Sequence, residues 1–197
     1  MSSKEPKELQ IKELGNLQER VLFFLSENPD QNKQAIQKGI GHPSDQYGSI
    51  LNAVNALQNT GYIQSKSGIS KKKVPISLYR CTDTGVFYAL SKNPNGDIEK
   101  LLSAYGERDA WKSVKCLYSQ VDHETFTSVF KDSSDFIPMM SKDGLENALI
   151  HLFVRSYRRS RKLNSRARKK VAKAALKCFP ELKSFMKEWR DSINEIL

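Results

Sequence analysis

A chain of 197 residues holds one ordinary domain or two small ones. With 39% hydrophobic and 27% charged residues it is globular and polar, and no apolar run approaches the roughly 20 residues of a membrane-spanning helix. The net charge of +10 is concentrated, because eleven Lys or Arg and no acid fall between Glu146 and Glu181; such a segment suits a polyanion, nucleic acid or an anionic membrane surface.

Residues 1–16 are charge-balanced and polar and read as a flexible tail without the apolar segment of a secretory signal. Cys81, Cys116 and Cys178 lie far apart with no CxxC spacing. The expectation is a reducing, cytoplasmic setting, with each cysteine buried as a small hydrophobe.

Leu17, Val21, Phe24 and Leu25 recur at helical spacing until Asn28-Pro29 stops the pattern, which predicts a first helix. Asp30 is the expected cap of a short second helix over 31–38, with Ala35 and Ile36 inward and Gly39 and Gly41 breaking the chain after it. A third helix follows, capped by Ser44 or Asp45, with Tyr47, Ile50, Leu51, Val54 and Leu57 as one apolar stripe. Its other face carries Asp45, Gly48, Ser49, Asn52, Ala56 and Asn59. Small and amide residues of this kind either approach base edges in a major groove or form an ordinary solvated face.

Tyr62, Ile63 and Gln64 open a strand, and Val74, Ile76, Leu78 and Arg80 alternate along its partner, predicting a β-hairpin. Residues 65–73 between them are rich in Gly and Ser and hold Lys66, Lys71, Lys72 and Lys73. They read as a flexible basic loop for phosphate contact, or else as a solubilising turn that protects a sheet edge.

The hairpin runs into LYRCTDTGVFYAL, residues 78–90. This segment resembles the Y-x-L-T-x-x-G-x-x-x-L ending of winged-helix regulators of the MarR, PadR and ArsR kind. Thr82 matches the residue that caps the following helix, Gly85 the close-packed small position and Leu90 the inward apolar one. Cys81 stands where an aliphatic residue is usual. The resemblance covers about residues 17–90, under half the chain. It implies a DNA-binding winged helix-turn-helix domain over 17–92, usually dimeric, with the third helix in the major groove and the hairpin beside it as a wing.

From Gly39 to Ser65 there is no Lys or Arg, so the third helix lacks the commonest guanine-reading side chain. Base contacts are expected from Ser44, Gln46, Tyr47, Ser49, Asn52 and Asn55, and affinity from Lys33, Lys38 and the wing lysines. Weak or A·T-biased specificity is one consequence; a wing-led or non-DNA role is the other.

Asn93-Pro94-Asn95-Gly96 marks a boundary, and 97–197 lacks strand alternation, so an all-helical second region is expected. Asp97 caps a helix with Ile98, Leu101, Leu102 and Tyr105. The next, over 107–119, turns Trp111, Val114, Leu117 and Tyr118 inward. A shorter one spans 122–130, and 132–143, with Pro138, reads as a connection. Residues 144–178 read as one helix roughly 50 Å long, or as two that restart at Asn164-Ser165. Leu145, Leu149, Leu152, Phe153, Leu163, Ala167, Val171 and Ala174 share one side. Arg155, Arg158, Arg159, Lys162, Arg166, Lys169 and Lys173 share another. Like charges so placed repel one another unless an anion meets them. A second nucleic-acid surface is one reading; the others are a solvated bundle face, an anionic membrane surface or an acidic protein partner. Beyond Pro180, Leu182, Phe185, Met186, Trp189, Ile193 and Ile196 stripe a final helix suited to packing on the domain or a second subunit.

His42, His123 and His151 are isolated, and the consecutive Asp122-His123-Glu124 point apart on a helix, so no metal site is expected. GxxxxGK[ST], GxGxxG and HExxH are all missing, and no Cys–His pair has motif context, so neither catalysis nor a cofactor is expected. The expectation is a mainly α, cytoplasmic protein that binds double-stranded DNA as a homodimer, without membrane attachment, and regulates transcription. The alternatives are a module whose winged helix docks protein or RNA, and plasmid-maintenance or chromatin-like coating of DNA.

Overall fold

The computed structural model describes residues 14–187 apart from 71, 94–95, 132, 160–164 and 185–186, and within the helices no side chain is described at 110, 141–143, 146, 153–154, 156–159 and 165–168. Among the described residues the chain is mainly helical, with one antiparallel two-stranded sheet.

Helix α1 (Asn16–Glu27) buries Val21, Leu22 and Leu25. Helices α2 (Lys33–Gly39) and α3 (Tyr47–Asn59) pack against it. The cap of α2 is Asn32, whose side chain accepts from Ala35 N at 2.9 Å, and not Asp30. Asp30 instead takes φ +61, a left-handed turn that Asp tolerates better than most residues. That turn lays Gln31 beside the hairpin as a one-residue third strand: Gln31 N donates to Tyr79 O and Tyr79 N to Gln31 O, at 3.1 and 2.8 Å. The second helix therefore starts two residues later than its periodicity suggests. Neither Ser44 nor Asp45 caps α3 through its side chain; a 3-10 turn, Ser44–Gln46, feeds it instead. Ile50, Ala53, Val54 and Leu57 are buried, whereas Tyr47 leaves the expected stripe and is 39% exposed.

Strands β1 (Ile63–Ile69) and β2 (Pro75–Cys81) pair with Ile63 opposite Cys81 and Ile69 opposite Pro75. The basic stretch 65–73 is thus mostly strand rather than loop, leaving only a turn at 70–74. Pairing with β2 engages alternate backbone groups of Ser65–Gly68 despite their weak strand preference. At the base of the hairpin the inward residues are Tyr79 and Cys81; Ile76, Leu78 and Arg80 are half-buried.

Helix α4 (Asp83–Lys92) begins as its sequence predicts. Thr82 Oγ1 accepts from Gly85 N at 3.2 Å and donates to Gly61 O at 2.7 Å, so one hydroxyl caps the helix and ties it to the turn before β1. Helix α5 (Ile98–Tyr105) is capped by Asp97, which accepts from Lys100 N at 2.9 Å, and buries Ile98, Leu101, Leu102 and Tyr105.

Tyr105 joins the two halves of the chain. Leu25 O, near the end of α1, would ordinarily accept from residue 29, but Pro29 has no N–H. Tyr105 Oη donates to that carbonyl at 2.8 Å and accepts from Cys81 N at 3.1 Å. Tyr105→Phe leaves a buried acceptor and a buried donor without partners. The expected loss is about 2 kcal/mol of stability, read as a lower urea midpoint at unchanged slope.

Helices α6 (Asp109–Gln120) and α7 (His123–Phe130) follow; Asp122 caps α7 by accepting from Thr125 N at 2.8 Å. The expected connection at 132–143 is largely helical. A 3-10 turn, Ser134–Phe136, runs into α8 (Ile137–Arg159), where Pro138 sits harmlessly in the first turn. The break lies at Gly144, with φ +85, a conformation open to glycine. Helix α9 (Ser165–Cys178) follows, and residues 160–164, where a single helix over 144–178 would have to run through, lie outside the described residues. Beyond Pro180, residues 181–184 are helical and Leu182 is buried; Phe185, Met186, Trp189, Ile193 and Ile196 lie outside the described residues. The apolar core is continuous from Val21 on α1 through Phe87, Trp111, Phe130 and Leu149 to Leu182.

The cysteine expectation holds for one residue only. Cys81 is fully buried and free, while Cys116 on α6 and Cys178 on α9 form a disulfide, S–S 2.12 Å, across 62 residues of chain.

Candidate nucleic-acid interface

Because α3 turns Ile50, Val54 and Leu57 to the core, the helical period turns Gly48, Asn52, Asn55 and Asn59 to solvent, together with Ser44, Asp45 and Gln46 in the turn before it. Asn52 and Asn55 are therefore exposed amides on one helix, with the partly exposed Tyr47 at its start. Ser49 is committed elsewhere. Its hydroxyl donates to Gln46 O at 2.6 Å, and His42 Nε2 lies 2.7 Å from the same oxygen. A hydroxyl has one proton, so His42 donates and Ser49 braces the first turn of α3, with no proton left for a base edge. This pairing of residues seven apart across a turn has no signature in helical periodicity.

The hairpin lysines divide into two kinds. Lys66 stands mid-strand, where its Nζ lies 2.9 Å from Asp30, which also sits 3.7 Å from Arg80 Nε. Its charge is thus shared with a carboxylate, although the side chain is half-exposed and the pair is worth little in water. Lys72 and Lys73 are exposed at the tip without such a neighbour among the described salt bridges; Lys71 lies outside the described residues. Lys33 is half-buried with its ammonium 5.5 Å above the Tyr79 ring, and Lys38 is exposed in the last turn of α2. The tip itself is firm: Ser70 N donates to Val74 O at 2.9 Å, Val74 N to Ser70 Oγ at 3.0 Å, and Lys73 N to Ser70 O at 2.9 Å.

A second set of bases lies on α9. Lys169, Lys170, Lys173 and Lys177 are exposed, while Ala174, Ala175 and Cys178 face the core. Lys170 and Lys177 widen the stripe expected from sequence; each follows one of its members, Arg166 and Lys173, by one helical turn, and that spacing is the signal that finds them. Lys177 Nζ reaches Gln120 Oε1 at 3.3 Å. Arg155 departs from the expected stripe. It forms an ion pair with Asp135 and stacks 5.1 Å over the Phe136 ring, so it serves the packing of α8 on the preceding turn. Arg158, Arg159 and Arg166 fall on α8 and α9 at positions whose side chains are not described, and Lys162 lies outside the described residues.

Behind the hairpin, Arg108 and Trp111 converge on Asp83, whose Oδ1 accepts at 2.6 Å from Arg108 Nη1 and at 2.9 Å from Trp111 Nε1. The Arg108 guanidinium also lies 4.8 Å over the Tyr105 ring. This cluster anchors the start of α4 to α6 and so fixes the base of the hairpin against the C-terminal helices. Burial pushes the Cys81 thiol up to about 12, which keeps it protonated and unreactive at neutral pH. Among the described residues, no group of three His, Cys, Asp or Glu side chains is arranged to hold a metal ion. What the arrangement offers is charge and hydrogen-bonding edges. No protein-family model, curated protein or solved structure matches the chain.

Proposed function

We propose that the chain is a DNA-binding protein that regulates transcription by occupying its site, with residues 17–92 acting as a winged helix-turn-helix. In this reading α3 enters the major groove with Gln46, Tyr47, Asn52 and Asn55 toward the bases, and the β1–β2 hairpin is the wing. The observation that carries it is the pairing, on one unit, of an exposed amide-bearing helix with a firm hairpin whose tip presents Lys72 and Lys73. Phosphate contacts then supply most of the affinity, and the scarcity of guanine-reading side chains on α3 makes sequence preference weak. The reading includes a homodimer, and a cytoplasmic location only where the Cys116–Cys178 disulfide escapes reduction; no helix among the described residues is long and apolar enough to cross a membrane.

Fluorescence anisotropy with a mixed-sequence duplex tests it. Binding at low salt should weaken linearly on a log–log salt plot. Replacing Lys72 and Lys73 by Gln should flatten that slope by about 2, one for each phosphate left without its lysine. Absence of duplex binding at low ionic strength would sink the reading.

The exposed lysines of α9 favour a second reading, in which the main anionic partner, RNA or an acidic protein, meets the C-terminal helices. Lys169→Gln, Lys170→Gln and Lys173→Gln together should then abolish binding while the wing variant leaves it intact.

A further inference from the structure

Four large hydrophobic side chains are exposed among the described residues: Tyr47, Ile69, Val74 and Leu176. Ile69 and Val74 are the most exposed, at 77% and 55%, and they flank the turn at the hairpin tip. A single exposed aliphatic needs no explanation. Two β-branched ones at the end of a projecting hairpin, beside Lys72 and Lys73, are a different matter. The described fold leaves them open to solvent, and the polar side chains that would blunt a sheet end, Ser67 and Ser77, stand further back.

The support beneath the tip is rigid. The three hydrogen bonds across residues 70–74 close the turn, and Lys73 holds φ +59. Pro75, the last partner in the ladder, fixes φ and needs no acceptor opposite Ile69. Gly68 lets Leu78 pack flat across the strand pair, since a side chain there would meet Leu78 Cδ1 at 2.6 Å. The tip is therefore narrow and closed by hydrogen bonds, with an exposed aliphatic side chain on each strand where it meets the turn, on alternate faces, and with Lys72 and Lys73 in the turn between them. Membrane insertion calls for a larger apolar area than two side chains. A groove walled by phosphates, with stacked bases at its floor, matches both features: the lysines meet the walls, and an aliphatic side chain on each face of the tip meets the bases on either side of it. Proteins that kink DNA from the minor groove insert Ile, Leu or Phe between base steps in this way.

We propose that the hairpin tip is a wedge: Ile69 and Val74 enter the minor groove of duplex DNA and partly unstack one base step, while Lys72 and Lys73 hold the flanking phosphates. This inference rests on the DNA-binding reading above and adds to it a deformation of the duplex, placed at flexible pyrimidine–purine steps. It also assigns weak base readout on α3 a counterpart, because a site chosen by its ease of kinking needs few base-edge contacts.

The test uses the full chain and duplexes carrying 2-aminopurine at a TA step, with donor and acceptor dyes on the two ends. Anisotropy reports binding, 2-aminopurine brightening reports unstacking, and energy transfer reports bending. The expected result is that the native chain binds, brightens the probe at least about two-fold and shortens the end-to-end distance. Ile69→Ser with Val74→Ser should bind within about ten-fold of the native chain yet give neither brightening nor bending. Both sites are exposed, so folding is preserved, and an unchanged melting temperature verifies it. Ile69→Phe should brighten the probe as much as or more than the native chain. Binding without brightening at any probe position, or equal brightening by the serine variant, overturns the wedge and leaves the DNA-binding reading standing. Absence of duplex binding overturns both. Loss of binding to phosphatidylserine vesicles in the serine variant, with no change on DNA, assigns the tip to a membrane surface and also overturns the wedge.

Discussion

Replacing Cys116 and Cys178 by Ser should lower the free energy of unfolding by roughly 4 kcal/mol, the cost of opening a loop of 62 residues. The bond joins α6 to the last turn of α9, and a cross-link across so long a segment removes much of the unfolded chain's freedom. Its contribution should be large relative to the roughly 5–15 kcal/mol that typical domains possess. The measurement is a urea titration of the native chain with and without reductant, beside the Ser variant. Reductant should shift the native midpoint to that of the variant and leave the variant unmoved, because Cys81 is fully buried and takes no part. Coincident midpoints in all conditions would show that the bond does not stabilise the fold. The same experiment reaches function, since α9 carries Lys169, Lys170, Lys173 and Lys177. If α9 loosens without the bond, that basic face loses its fixed spacing, and polyanion affinity should fall with stability.

What is legible in the sequence is what is local. The cap at Thr82 and the stripe Ile50–Val54–Leu57 depend on neighbours within a few residues, and each is in place; Gly85 and Leu90 are visible through the short motif at 78–90, although Gly85 packs against the distant Tyr62 and Leu22. The C-terminal helices are legible for the same reason, because a 3.6-residue period is a property of a short window. What escapes depends on partners far along the chain. Asp30 looks like a cap because nothing nearby reveals Lys66 and Arg80, which reach it from the hairpin. Arg155 looks like part of a free stripe because Asp135 lies on an earlier turn. Cys116 and Cys178 look unrelated because spacing carries no information on two cysteines that meet through helix packing. Pro138 misleads in another way: it resembles a breaker but stands in a first helical turn, whereas the true interruption is Gly144. The candidate interface divides along the same line. Periodicity and composition make the exposed amides of α3 and the tip lysines visible. They do not reveal the commitments of Ser49, Lys66 and Arg155 to neighbours in the fold.

Gly85→Ala should destabilise the chain by about 3 kcal/mol, the reverse of what helix preference alone gives. Gly85 lies in the first turn of α4, where alanine ordinarily gains about 0.5–1 kcal/mol over glycine. A Cβ there would stand 2.0 Å from Tyr62 O, 3.0 Å from Tyr62 C and 3.2 Å from Leu22 Cδ1. The nearest of these is backbone, so no side-chain rotation relieves the overlap. Tyr62 O accepts from Thr82 N at 3.0 Å and stands 3.1 Å from Thr82 Oγ1, whose one proton it shares with Gly61 O, so pushing it away also strains the cap of α4. For a chain of this size the loss corresponds to a drop of about 6–12 °C in melting temperature. Gly48→Ala is the matched control: it is a helical glycine on α3 with nothing within 4 Å of the added carbon, and it should gain rather than lose stability. An equal or raised melting temperature for Gly85→Ala would refute the packing argument. The consequence extends to the candidate interface, because Tyr62 leads directly into β1. A displaced Tyr62 tilts the hairpin relative to α3, so the alanine variant should lose duplex affinity even at temperatures where it remains folded. The placement of the hairpin relative to α3 thus depends on a glycine buried at the start of α4, away from both surfaces that would meet nucleic acid in the proposed reading.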